Sequence, residues 1–287
     1  KLNRSQKMKR IYTYGHALEQ RNITVADILA NKASGIKMTQ VTAQNAEEAG
    51  IIADQNIDMI ITGSDWLVDV RKGAPTTFIT AALFAGRFIT NDKILAGGIN
   101  AAMAGADSVL TPRSMDVVEL LAKQGLCVQG HVGMVPSLSI RYGGMRTIGK
   151  TASEALAVLD HMRRLEDAGA YGCEVECVAH DALAEICKHT SLVTSSIGAG
   201  AAGDVMFLFL FFEDICGETE NPPRHAKSWG DGASIRKQLD AERRRAVKGF
   251  QDAVVIGAYP NAAHSVAMLP NEKDILLEAL DKRILQL

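Results

Sequence analysis

From residue 38 to residue 212 the chain alternates short apolar runs of strand length with longer runs of helical period. No other feature limits its fold as much. Strand patterns fall at 38–43, 58–63, 76–81, 108–111, 127–130, 173–178, 192–197 and 206–212. Helical patterns fall at 47–55, 93–104, 115–124, 153–168 and 181–189, and a short helix opens at Thr24 and ends near Gly35. Eight strands, nearly all separated by helices, predict an α/β fold of the (β/α)8 TIM-barrel type, and the 287 residues suffice for one such barrel. An open doubly wound sheet would more often carry a glycine-rich dinucleotide turn after its first strand. Here that turn reads Thr42-Ala43-Gln44-Asn45. The expected layout is an N-terminal arm (1–23), a barrel (24–265) and a C-terminal helical extension (266–287).

A barrel of this type holds its active site at the C-terminal ends of its strands. The candidates are therefore Asn45, Ser64, Asp65, Ala82, Pro112, Arg113, His131, Glu176, His180 and the segment 196–200. The sixth strand is the most informative. Its side chains alternate, so Glu174 and Glu176 share one face, with Val175 and Cys177 on the other. Two carboxylates side by side in an interior are costly unless a metal, a cation or a shared proton compensates. On an edge strand the same two residues would simply be solvated. Glu174 is either a second acid or the partner of Arg141 or Arg146. His131 is either part of the chemistry or a hydrogen-bonded core histidine. The long glycine-rich loop 132–150 is a candidate wall or lid.

Apolar content of 47% and a net charge of −2 describe a globular chain with ample core and no nucleic-acid signature. The longest apolar run, 205–212, is too short to span a membrane. Five cysteines, odd in number and without C-x-x-C spacing, read as buried thiols of a reducing compartment, and a cytoplasmic location is expected. Residues 1–10 carry five bases and no acid, which reads as a disordered or surface arm or as the stub of a transit peptide with organellar import. Arg243, Arg244, Arg245 and Lys248 read as a solvated helix face. At 271–287 an amphipathic helix, capped by Asn271, carries the stripe Ile275, Leu276, Ala279, Leu280 and Ile284. That stripe needs a partner, either a barrel helix or a second subunit, and a homo-oligomer is expected.

The segments GHVGMVP (130–136), GGMRTIGK (143–150), ECV (176–178), IGAG (197–200), HAK (225–227) and Tyr259-Pro260 with His264-Ser265 occur in one order and spacing. Together with TVADILANKASGIKMTQVTA (24–43) they resemble ketopantoate hydroxymethyltransferase. The resemblance implies a barrel of the phosphoenolpyruvate mutase/isocitrate lyase superfamily. It also implies hydroxymethyl transfer from methylenetetrahydrofolate to a small branched 2-oxo acid chelated by magnesium. Glu176 falls on that family's general base and His131 on its active-site histidine. Ser64, Asp65 and Ser196 are the candidates for holding substrate, and Asp65 is the candidate metal ligand. The family's metal positions fall on Ser64, Ala82 and Pro112, and its lysine of strand four falls on Leu110. The segment after strand two is cut to 66–71.

Either a metal binds through some of Asp65, Glu174, Glu176 and His131, or none binds. Without one, the two glutamates would share a proton, which suits acid–base work on a neutral substrate. A Schiff base is disfavoured because no lysine stands at a predicted strand end. Three functions follow as expectations. The first is aldol-type chemistry on a small 2-oxo acid or related carbonyl compound. The second is a lyase, hydrolase or isomerase that has left the magnesium and folate chemistry behind. The third is a barrel that acts by assembly or small-molecule binding.

Overall fold

A computed structural model of the chain describes residues 8–201 and 207–284. The chain divides into two compact units, residues 1–230 and 231–287. The expected boundary was at 265; among the described residues no strand follows Gly230.

The first unit opens with a hairpin, β1 (Lys9–Tyr12) and β2 (Leu18–Arg21), paired antiparallel. There follow α1 (Val25–Ala33), β3 (Met38–Thr42), α2 (Ala46–Asp54), β4 (Met59–Gly63), α3 (Leu67–Gly73), β5 (Phe78–Ala82) and α4 (Asn91–Met103). The second half runs β6 (Ser108–Leu110), α5 (Met115–Ala122), β7 (Val128–Gly133), α6 (Ala152–Asp167), β8 (Gly172–Glu176), α7 (His180–Ile186), β9 (Val193–Ile197), β10 (Phe207–Leu210) and α8 (Phe212–Cys216). Strands β3 to β10 close into a parallel barrel in which β10 pairs with both β9 and β3. The eight predicted strands are these eight. Two helices, α3 and α8, are absent from the predicted set because seven and five residues are too few to show a helical period, and α8 takes Phe212 from the last predicted strand. Of the 1–10 segment, residues 1–7 lie outside the described residues, as does Met206 of the last predicted strand.

Side-chain capping explains several helix starts. Thr24 and Asp27 form a reciprocal capping box at α1, and Asn45, Thr90 and Thr151 each accept from a backbone N–H of the first turn of α2, α4 and α6. Outward strand residues such as Ile60, Ile79, Val109, Val128, Cys173 and Val175 pack with the helices into the main core. Inside the barrel the lower layer is Met38, Met59, Phe78 and Val193, and the upper layer is Ile61, Ala82, Leu110 and Ile197.

The hairpin is tied to the barrel rather than lying loose on it. Arg21 is only 1% exposed. Its Nε donates to Asp107 Oδ1 at 2.6 Å, while Arg71 Nη2 donates to Asp107 Oδ2 at 2.7 Å. The expected arm therefore ends in a buried ion-pair network. Among the described residues no disulfide joins the cysteines, and no helix is long and apolar enough to cross a membrane.

The second unit holds α9 (Gly232–Val255) and α10 (Glu272–Ile284). The basic run of α9 is a solvated face, with Arg245 paired to Glu242 at 2.5 Å and Lys248 to Asp252 at 2.8 Å. Phe250, in the last turns of α9, packs edge to face on Tyr259, and Tyr259 on His264. Ile275, Leu276 and Leu280 of α10 are exposed. Asn271 takes φ +70° rather than the extended backbone of an N-cap, which separates it from the capping role read from sequence.

Candidate active site

The site is built on β7 and β8. Strand β7 runs three residues beyond its predicted end, to Gly133, so His131 lies within the strand and directly opposite Glu174. Gly133 lies opposite Glu176. Glu174 and His131 both line one cavity at the C-terminal end of the barrel. Glu176 reaches back to His131, whose Nε2–H donates to Glu176 Oε2 at 3.1 Å. The three residues offer one imidazole nitrogen and two carboxylate oxygens within 4.8 Å of one another.

Two backbone features hold Glu176 in place. The Met134 N–H donates to the Glu176 carbonyl at 2.8 Å, which brings Gly133 so close that a Cβ there would stand 2.3 Å from that oxygen. Gly133 also has φ +86°, so glycine is required on both counts. Cys177 then takes φ +49°, which ends β8 at Glu176 rather than at the predicted Val178. The Cys177 N–H donates to Ile197 O at 2.9 Å and fixes the turn.

Burial dominates the electrostatics. Burial pushes the Glu174 carboxyl above its ordinary range; Glu176 adds to this and His131 opposes it. Burial works against a charged His131, but the hydrogen bond to Glu176 and the charges of Glu174 and Glu176 outweigh it, and the imidazole is held above its ordinary value. The Cys177 thiol is pushed up by burial and by Glu176, and Cys173, on the outward face, is pushed up to about 12 by burial. Neither is poised as a thiolate nucleophile.

The cavity has a volume of about 420 Å³. Beside Glu174 and His131 its wall is Ile61, Ala82, Leu110 and Pro112, and Trp66, Phe84 and Phe211 stand half-exposed around it. Gly63 makes room for this aromatic group: a Cβ there would meet Phe84 at 2.9 Å and Trp66 at 3.1 Å. Val135, Pro136 and Ser137 bring the start of the 132–150 loop to the wall.

Of the sequence candidates, His131, Glu174 and Glu176 come together. Ser64, Asp65 and Ser196 do not line the cavity. Ser64 donates its N–H to Ala82 O at 3.2 Å and turns its hydroxyl to a buried place without a partner. Asp65 is exposed and paired with Arg87. Ser196 lies next to Ser195, the residue opposite Glu174, and so falls on the other face of its strand; its hydroxyl donates to Gly200 O at 2.8 Å. Arg146 pairs with Glu154 at 2.6 Å, and neither it nor Arg141 lines the cavity, so Glu174 takes its setting from His131 and Glu176 instead. His180 is exposed.

The aromatic group was not singled out from sequence. Its only signal was position, since Trp66, Phe84 and Phe211 each follow the end of a strand by one to three residues. His225 of the HAK segment is a further contact, with Nδ1 2.9 Å from where a Cβ on Gly198 would stand and Nε2 buried without a partner.

Residues 68–262 match the family model described as Ketopantoate hydroxymethyltransferase. The 3-methyl-2-oxobutanoate hydroxymethyltransferase of Hyperthermus butylicus is 31% identical, over 91% of this chain and 96% of that protein. The enzyme of the same name from Pyrobaculum calidifontis is 28% identical, over 86% of this chain and 99% of that protein. Among solved structures, oxaloacetate acetylhydrolase in complex with 3,3-difluorooxalacetate superimposes with a TM-score of 0.53 at 10% identity, over 88% of this chain and all of that one.

Proposed function

Because the chain belongs to the ketopantoate hydroxymethyltransferase family, we propose that it is a transferase or related lyase that forms or breaks a carbon–carbon bond beside a carbonyl group, with Glu176 as the base. The observation that carries this reading is the His131–Glu176 hydrogen bond of 3.1 Å next to a cavity at the C-terminal end of the barrel. A carboxylate hydrogen-bonded to an imidazole is oriented by it, and the pair can take a proton from carbon and return it. Glu174, buried opposite His131, supplies a proton donor toward the carbonyl oxygen where enolate charge develops. His131 and Glu174 line the cavity, and Glu176 stands behind the imidazole, joined to it by that hydrogen bond.

Magnesium, which the family implies, does not fit the family's own positions in this chain. Ala82 and Pro112 have no side-chain donor and form apolar wall, and the Ser64 hydroxyl does not line the cavity. The His131, Glu174 and Glu176 group is a different donor set, and its imidazole suits zinc or another transition metal better than magnesium. Methylenetetrahydrofolate fits no better, since a pterin needs several fixed polar partners and this wall is chiefly carbon.

The test is proton exchange. Incubation with carbonyl compounds in deuterium oxide should show enzyme-dependent loss of the α-proton by NMR, and Glu176→Gln should remove it. Exchange that persists in Glu176→Gln would defeat the reading.

A further inference from the structure

The side chains along the cavity constrain what can enter it. Among the described residues no lysine or arginine lines it, and residues 202–206 contain none in sequence. The ionisable side chains on its wall are Glu174 and His131, and the latter is already hydrogen-bonded to Glu176. A substrate carboxylate placed here would leave water for a wall without lysine or arginine, whose one imidazole is already paired with Glu176 and flanked by Glu174. Burying a charge without a partner is among the costliest steps in recognition. The positions at which a family member would neutralise that carboxylate through a chelated ion are the carbon surfaces of Ala82 and Pro112.

The remaining wall is chiefly hydrocarbon, with Thr42, Gln44, Thr62 and Ser137 as its neutral polar residues. Ile61, Leu110 and Val135 line it, and Trp66 and Phe84 converge over Gly63. Trp66 and Phe84 are 41% and 48% exposed, a large aromatic area left open beside a buried acid. Pockets of this kind take an apolar body and orient it with few polar groups.

We infer that the substrate is an uncharged ketone or aldehyde with an aromatic or branched hydrocarbon body, not a 2-oxo acid. This rests on the proposed reading of Glu176 only in placing the carbonyl beside His131, Glu174 and Glu176. The hydrocarbon body lies against Trp66 and Phe84.

A matched pair tests it by binding alone. 4-Phenylbutan-2-one and 2-oxo-4-phenylbutanoate differ by a methyl group against a carboxylate. Each is titrated into the full chain by calorimetry with chelator present, with magnesium and with zinc. The ketone should bind at least about tenfold more tightly than the acid in all three conditions. Gly86→Arg adds a cation at a cavity position where a Cβ meets nothing within 4 Å, and it should improve binding of the acid while leaving the ketone unchanged. Equal binding, a preference for the acid under any metal condition, or no binding of the ketone overturns the inference. Ketone binding without α-proton exchange would support the substrate class and fault the role of Glu176 alone.

Discussion

His131 lies opposite Glu174 in the barrel, yet its hydrogen bond goes to Glu176, the next inward residue along β8. This diagonal leaves Glu174 beneath the pair, buried and facing the same imidazole. One histidine thus sits between two carboxylates in different settings. Two acids with different environments can divide the donor and acceptor roles of enolisation.

Glu176→Gln should lower the rate of α-proton exchange by about 10²–10⁴-fold. The amide keeps the shape of the carboxylate but cannot accept the proton. Thermal unfolding should move little, which separates lost chemistry from lost structure. Exchange rates and melting curves measured on the same preparation check both halves.

Glu174 makes stability depend on pH in a defined direction. Its folded carboxyl is raised above the ordinary 4.5, so the folded state holds its proton longer than the unfolded state. The native state is then favoured most below 4.5 and loses that advantage as pH rises through the raised value. His131 acts in the same sense: its contribution is complete below its ordinary 6.5 and is lost as pH rises through its raised folded value. Glu174→Gln should therefore gain stability relative to the parent as pH goes from 4.5 to 8, read by denaturant unfolding. It should also lower the pKa of His131, measured by NMR titration, because one neighbouring negative charge is gone.

Gly133→Ala should cost about 1–3 kcal/mol or more from the left-handed backbone alone. The clash with the Glu176 carbonyl adds to this and pushes Glu176 away from His131. Loss of exchange activity together with a lower unfolding midpoint is expected. Gly143→Ala, also at positive φ but with open space around it, should keep the activity.

Asp107→Asn should destabilise the full chain by about 3–5 kcal/mol, because Arg71 would lose its buried carboxylate and Arg21 would keep only the exposed Glu19. Chemical unfolding measures it. Exchange activity in the folded fraction should be retained, since Asp107 stands at the N-terminal end of β6, away from the cavity.

Magnesium titrated alone into metal-stripped protein should give no heat of the kind a carboxylate site produces, since Ala82 and Pro112 offer it no donor. Ordinary magnesium-dependent binding of 2-oxoisovalerate in the same calorimeter would show that the ends of β4 to β6 hold the ion in a way their side chains do not reveal.

The sequence by itself determined the barrel and the shared face of Glu174 and Glu176, because both are local properties. Hydrophobic period separates strand from helix, and strand alternation places residues two apart on one side. Chain order and spacing were also enough to place His131 and Glu176 at the strand ends where a barrel's chemistry lies. The partners of those residues were another matter. Only the tertiary structure decided that β7 runs on to Gly133, that His131 bonds along a diagonal, and that Asp65 belongs to Arg87 while Ser196 turns to the other face. It alone joined Arg21 to Asp107 across 86 residues and gathered Trp66, Phe84 and Phe211 around one acid. The physical reason is that hydrogen bonds, ion pairs and cavity walls depend on register and distance between remote segments. Neither quantity is fixed until the barrel closes.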